Sequence, residues 1–432
     1  MTRPALDPFP PTLAAARARI AAVRPADYAR SRNALDGAVT RLSPYITHGL
    51  VSLPEVLAGV AARHRLDVQH KLVFELGWRA YFHHVWQHRG AGILQSLHPG
   101  PLPEAAYAGE LPADIRTGCT GVPVIDQAVR TLYTEGYLHN HARLWLASYV
   151  VHVRRVHWRA GADWLLGHLL DGDLASNHLS WQWVAGTGSH KPYLFNADNV
   201  ARHAPPAWHS PGTVVDTAYE HLEALAHGRQ PAVPAAAALA GAVAEPALHH
   251  RPPAGVAGVA GVAGAANMAD PAQLAALAAL AQQLTGRDVW LVHPWALGDP
   301  PAELPAHAVR LGWWPEEHHA AWGWSAARWA FVGQRMAALA PVSAVGHQAQ
   351  LARLLAPARS VQTLADPHVG RHLPALVRQR PAPSLFPTVD RPCPSFSAWW
   401  HRSTRGLQHL TDLPGLAAWA AQAPAGPLFG GR

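Results

Sequence analysis

Four short patterns in this chain bring together side chains able to do chemistry. Glu75, Trp78 and Arg79 fall within QHKLVFELGWRAYFHHVWQHR (residues 69–89). Asn140 and Arg143 in GYLHNHAR are three apart, so on a helix they share a face. Asp171 and Asp173 flank a glycine in DGDLASNHLSWQW, which continues to Asn177, Trp181 and Trp183. Tyr28, Thr40, Leu42 and Ser43 are spread along YARSRNALDGAVTRLSPYITHG. Carboxylates, amides and guanidinium groups are costly to bury in apolar runs unless they are paired or meet a ligand. Hydroxyls and free N–H groups beside a helix start can hold a pyrophosphate. Indoles stack on planar partners and carry a polar N–H.

Each pattern also has an ordinary alternative. Ser43-Pro44 can simply begin a helix, with Ser43 as its N-cap. Asp171 and Asp173 can cap a tight turn, Glu75 and Arg79 are spaced for an ion pair, and Trp78 suits core packing. His84 and His88 have the spacing of two metal ligands but no obvious third. His139-Asn140-His141 spells a nuclease-like triplet without the ββα setting that chemistry needs.

The elements that must position these residues are mostly helical. LAAARARIAAV (13–23) reads as an amphipathic helix, 69–89 as an aromatic one, and GCTGVPVIDQAVRTLYTE (118–135) as a Gly/Pro turn entering a helix, with Asp126 tying the two. Residues 231–270 are rich in Pro, Ala and Gly, with a GVAGVAGVAG repeat, and read as a flexible tether. Beyond it DVWLVHPW (288–295), VSAVG (342–346) and SVQTLAD (360–366) read as strands. They alternate with a Trp-rich helix over 316–339 and a helix in HQAQLARLLAP, a pattern that implies a parallel α/β sheet.

The chain has 432 residues, 18 of them Trp, and a formal net charge of +7, which favours a polyanionic partner. Cys119 and Cys393 are too few for a disulfide framework, so a reducing cytoplasm fits. MTRPALDPFPP lacks the apolar segment of a secretion signal, and no run reads as a membrane span.

GYLHNHAR, DGDLASNHLSWQW and TGCTGVPVIDQAVRTL together resemble the flavin-binding half of the photolyase/cryptochrome family, densely over residues 28–195. The resemblance implies a mainly α fold: an all-helical FAD-binding domain at 1–230, a linker at 231–284, and a smaller α/β, Rossmann-like domain at 285–432. PCPSFSAWWHRSTR (392–405) resembles the closing segment of the family's antenna domain, which would place that domain after the flavin domain rather than before it. By resemblance Tyr28, Thr40, Leu42, Ser43, Arg79, Arg143, Asp171, Asp173 and Asn177 contact FAD, with Asn177 beside the flavin N5. Glu75, Trp78, Asn140 and Trp183 face the substrate, Glu75 hydrogen-bonding a pyrimidine lesion and Trp78 stacking on it. Trp181 and Trp158 match two members of a chain that passes electrons to flavin. The third position falls on Ala105, leaving Tyr107 or Trp164 as substitutes.

Other departures are Val39 at a hydroxyl position, Tyr137 at a Trp position and Leu144 at a Met position. The activity implied is light-driven splitting of cyclobutane pyrimidine dimers by reduced FAD, a deoxyribodipyrimidine photo-lyase acting on UV-damaged DNA. The alternatives are a blue-light receptor without repair and a flavoprotein that has lost its light role. A second, antenna chromophore is left open and its identity unspecified. A cytoplasmic monomer with no membrane contact is expected.

Overall fold

A computed structural model describes residues 9–236, 241–253 and 271–422. Helices fill the first half, and local chemistry sets their ends. Thr12 caps Leu13–Ala22 by accepting from the Ala15 N–H. Lys71–Arg89 stops at Gly90, which adopts φ 53°. Pro123–Glu135 starts on proline and ends at left-handed Gly136. The Asp126 carboxylate accepts from Thr120 N–H and O–H, both at 2.8 Å, and from Gly121 N–H at 3.2 Å, so it ties the turn to the helix. Asn140–Ser148, Trp158–His168 and Leu174–Ala185 pack around Trp145, Trp158 and Trp181, all buried. Gly161 lets the last two helices meet, because a Cβ there would lie 2.3 Å from the Trp181 ring.

The second half contains β2 (Asp288–Val292), β3 (Val309–Pro315), β5 (Val342–Gly346), β6 (Ser360–Leu364) and β7 (Val377–Arg380), all parallel, in the order β5-β3-β2-β6-β7. The chain runs outward from β2 through β3 to β5, then returns to β6 beside β2. A separate antiparallel pair joins β1 (Leu248–His249) to β4 (Trp324–Ser325).

Several expectations change. The expected 316–339 helix is two helices, Glu316–Ala321 and Ala326–Leu339, because Trp322–Ser325 leaves the helix to reach β1. The tether is only partly one. Glu245 holds Arg116 and the Trp164 indole, and Pro271–Leu284 is a helix whose Leu280 and Leu284 enter the sheet's core. The GVAGVAGVAG repeat lies outside the described residues. The closing segment does not join the sheet: Phe396–Ser403 packs on Lys71–Arg89, with Phe396, Trp399 and Trp400 in one core with Val73, Tyr81 and Leu179. The halves also share a core, since Tyr45 and Leu50 cluster with sheet residues such as Trp290 and Trp313. No helix among the described residues is long and apolar enough to cross a membrane.

Candidate active site

A cavity of about 710 Å³ opens in the helical half. That volume suits a large ligand. Its lining draws on segments far apart in the chain, and it includes thirteen of the fifteen residues singled out by sequence: Tyr28, Thr40, Leu42, Ser43, Glu75, Trp78, Arg79, Asn140, Arg143, Asp171, Asn177, Trp181 and Trp183.

Lys71–Arg89 supplies Glu75, Trp78 and Arg79 from one face. Glu75 and Arg79 do not pair with each other. Glu75 Oε1 lies 3.3 Å from both Arg32 Nε and Lys71 Nζ, while Arg79 reaches Thr47 Oγ1 at 3.3 Å and Asp173 Oδ2 at 3.4 Å. Lys71, one turn earlier, and Arg32, just past the end of the helix Pro25–Ser31, are nearer partners for Glu75 than its own i+4 neighbour. Trp78 shows the cavity part of its surface, and its other ring face is covered by Phe396, stacked at 4.0 Å and 8°.

Ser43 is the first residue of Ser43–Thr47 and Leu42 occupies the N-cap with no side-chain bond, so the capping alternative for Ser43 fails. The backbone before it is unusual: Arg41 adopts φ 51°, a conformation that costs energy for a non-glycine residue and recurs at ligand sites. Burial, and then the Glu75 carboxylate, push the Tyr28 phenol far above its usual range, so it stays a neutral hydrogen-bonder.

Arg143 grips Asp171 at 2.8 and 3.0 Å and anchors its own Nε–H on the Leu138 carbonyl. Asn177 donates to the Ala162 carbonyl at 2.8 Å while lining the cavity. Asp173 is not among the lining residues. Oδ1 caps Leu174–Ala185 by accepting from Ser176 N–H at 2.7 Å, and Oδ2 meets His83 at 2.9 Å and Arg79. Burial alone would raise its pKa, but Arg79 and His83 hold the carboxyl well below the usual range. A carboxylate serves either as a cap or as a ligand contact at that point in a turn, and sequence spacing does not separate the two.

Trp158 is also absent from the lining. It sits behind the cavity, its indole donating to Ser96 at 2.9 Å and its ring edge-on to His178 at 6.2 Å. Of the two substitutes for the missing third member, Tyr107 stands edge-on to His157 at 6.3 Å, and Trp164 is buried with its N–H on Glu245.

Sequence reasoning missed Arg32, Arg41 and Lys71, which also line the cavity. Arg41 pairs with Glu135 at 2.6 Å and lies over the Tyr137 ring. Their signal was present: Lys71 is one of two lysines in the chain, and Arg41 sits between two proposed contacts. With Arg79 and Arg143 they give the cavity five cations beside the Thr40 and Ser43 hydroxyls, a donor set suited to a pyrophosphate. Asn177, Asp171 and Trp181 furnish an amide, a carboxylate and an indole elsewhere in the same space. This fits a dinucleotide with a polar linker and a planar ring system.

Residues 72–207 match the family model described as the FAD binding domain of DNA photolyase. A deoxyribodipyrimidine photo-lyase of Streptomyces griseus is 38% identical over 165 residues, covering 38% of this chain and 36% of that protein. One of Thermus thermophilus is 35% identical over 189 residues, covering 41% and 44%. A cryptochrome DASH of Idiomarina loihiensis is 30% identical over 169 residues, covering 38% of each. A solved Synechocystis cryptochrome is 29% identical, with 44% of this chain and 43% of that one aligned and a TM-score of 0.40. The chain spans less than half the length of these curated relatives. Over this region the chain is similar to the FAD binding domain of the photolyase/cryptochrome family, and FAD is the cofactor that domain binds.

Proposed function

We propose that the chain is a light-driven DNA repair flavoenzyme that splits cyclobutane pyrimidine dimers in UV-damaged DNA. The observation that carries this is the gathering of Glu75, Trp78, Asn140 and Trp183 on the same cavity as the flavin contacts, with Trp183 36% exposed. Relatives named deoxyribodipyrimidine photo-lyase support it. Bound FAD, once reduced and excited by blue light, supplies one electron, which returns after the cyclobutane opens, so the reaction has no net redox change. The protein's own part is to receive an extruded base pair and keep water out. Trp183 offers a stacking face, and Asn140 and Glu75 offer groups for base edges. Arg32 and Lys71, each 3.3 Å from Glu75 Oε1, fix the position of that carboxylate. Arg143, Asp171 and Asn177 orient the flavin, and Thr40, Ser43 and Arg79 take the pyrophosphate side. Leu144, which also lines the cavity, and Asn140 stand where members acting on (6–4) products carry histidine, which favours cyclobutane dimers.

One observation favours a blue-light receptor without repair: Phe396 already occupies a face of Trp78. The deciding experiment loads the chain with reduced FAD, adds an oligonucleotide carrying one thymine dimer, and compares illuminated with dark samples. Loss of dimer only in the light is expected for repair. An FAD-loaded chain that leaves dimers intact under light supports the receptor reading instead. We place the protein in the cytoplasm as a monomer, with 1–230 as the flavin unit and the sheet after it corresponding to an antenna-type domain. Co-purification of a second chromophore would test that last correspondence.

A further inference from the structure

The loop that carries Asp171 is held from behind, and two of the groups that hold it come from the α/β half. The Leu170 carbonyl meets His48 Nε2 at 2.9 Å, and the Asp171 carbonyl accepts from Thr47 Oγ1 at 3.3 Å. The Gly172 carbonyl accepts from Arg328 Nη2 at 2.5 Å, and Arg328 Nη1 also donates to the Leu166 carbonyl at 3.2 Å. The Leu174 N–H donates to His368 Nε2 at 3.2 Å. Successive backbone polar groups of a buried loop thus find side-chain partners, as buried backbone requires.

Arg328 is 1% exposed and stacks its guanidinium over Trp324 at 4.0 Å. Among the described residues it has no ion pair at hydrogen-bond distance. Its counter-charges are Asp171 and Asp173, which act against the burial that lowers its pKa to about 9. Gly172 is shaped for it: a Cβ there would lie 2.4 Å from Arg328 Nη1 and 2.5 Å from the Leu166 carbonyl oxygen. His368 is fixed in turn. Its Nε2 accepts from Leu174, so Nδ1 carries the proton and donates to Asp366 at 2.7 Å. Its ring stacks on Trp295 at 4.7 Å and 4°.

The position in the sheet makes these contacts informative. In open α/β sheets ligands bind beyond the carboxyl ends of the strands, where the strand order changes direction. Here that point lies between β2 and β6. The residues just beyond those strands are His293, Trp295, Asp366 and His368, and they are packed against each other: His293 bonds the Leu364 carbonyl at 2.9 Å, and Trp86 of the helical half closes edge-on over His368 at 4.8 Å. The crevice is filled by the chain's own aromatic rings, and its polar edge faces the flavin loop.

We propose that the α/β half is the back wall of the flavin cage, with Arg328 and His368 as positioning residues that hold the Asp171-Gly172-Asp173 loop. The front of that loop then presents Asp171, and the helix after it presents Asn177 and Trp181, in the geometry FAD needs. This rests on the assignment of Asp171 and Asn177 as flavin contacts.

The test uses the full chain, stripped of flavin and titrated with FAD by fluorescence quenching, alongside the midpoint potential of the bound flavin and the thermal midpoint. Arg328→Met should weaken FAD binding by about tenfold or more, the scale set by losing buried charge-assisted hydrogen bonds. The potential of the flavin still bound should become more negative, because the two aspartates lose their buried cation. Arg328→Lys should recover part of both, which general loosening would not produce. His368→Leu should weaken binding about threefold, as expected for one backbone hydrogen bond. Arg359→Met, on an exposed pair with Asp288, should change neither. Folded Arg328→Met with wild-type affinity and potential overturns the proposal. If that variant does not fold, His368→Leu decides, and unchanged affinity overturns it equally. A wild-type chain that takes up no FAD would instead overturn the flavin assignment itself, and the back wall with it.

Discussion

The flavin cavity and the carboxyl edge of the sheet both draw on Trp and Asp side chains, yet they end in opposite states. In the cavity, polar side chains border open space of about 710 Å³, and Trp183 remains 36% exposed. At the sheet edge, Trp295 and His368 are stacked and buried, and Asp366 is spent on His368. What separates the two places is open space: the paired polar side chains of the cavity still border a void, while those of the sheet edge are packed under aromatic rings.

The comparison fails most visibly if the cavity tolerates loss of its central ion pair. Asp171→Ala leaves Arg143 without its carboxylate, and FAD affinity should fall about a hundredfold, the scale of breaking a largely buried pair. Titration of the flavin-free variant checks this. On the wall side, Gly172→Ala drives a methyl into Arg328 and a backbone carbonyl, and it should cost about 2 kcal/mol of stability by chemical denaturation. A neutral result would mean that the wall is not closely fitted.

Acid should separate the seam and core from the open cavity. Burial, and then the Arg328 charge, lower the His48 pKa to about 3, and burial lowers that of His152 to about 4. Burial and then His141 bring His139 to about 4. In the unfolded chain these groups titrate near ~6.5. Between the folded and unfolded values the unfolded state binds more protons. The stability they contribute is therefore complete above about pH 6.5 and is lost as pH falls towards the folded values. Thermal midpoints from pH 8 to 4.5 should fall on the acid side, with a shallower slope in His48→Gln. The smallest effect is at the mouth. Trp183→Ala should leave FAD affinity unchanged and weaken binding of dimer-containing DNA about tenfold, one base's worth of stacking, as read by fluorescence anisotropy.

The family resemblance named most of the residues that line the cavity, and helix spacing accounts for which of them share a face. Glu75, Trp78 and Arg79 share one face, as do Asn140 and Arg143, and no distant information is needed to place them together. Asp173 takes the capping role that the sequence also offered, since cap and ligand contact call for the same carboxylate. The wall was not legible at all: Arg328 and Gly172 are 156 residues apart, and His368 and Leu174 are 194 apart. β3 was missed for a similar reason. Gly312 weakens its strand signal, and that glycine is needed only because Ser343 and Met336 approach it, at 2.7 and 3.0 Å from where a Cβ would stand. β7, VRQR, is short and polar because it lies at the sheet's edge.

The central claim is that the helical half forms a cage for one FAD. Equilibrium titration of the flavin-free full chain with FAD, followed by flavin fluorescence and by absorbance after removal of free cofactor, tests it most directly. The account predicts saturation at one FAD per chain, with affinity about a hundredfold weaker in folded Asp171→Ala. A folded wild-type chain that stays colourless, or binds FAD no better than the Asp171 variant, would contradict it.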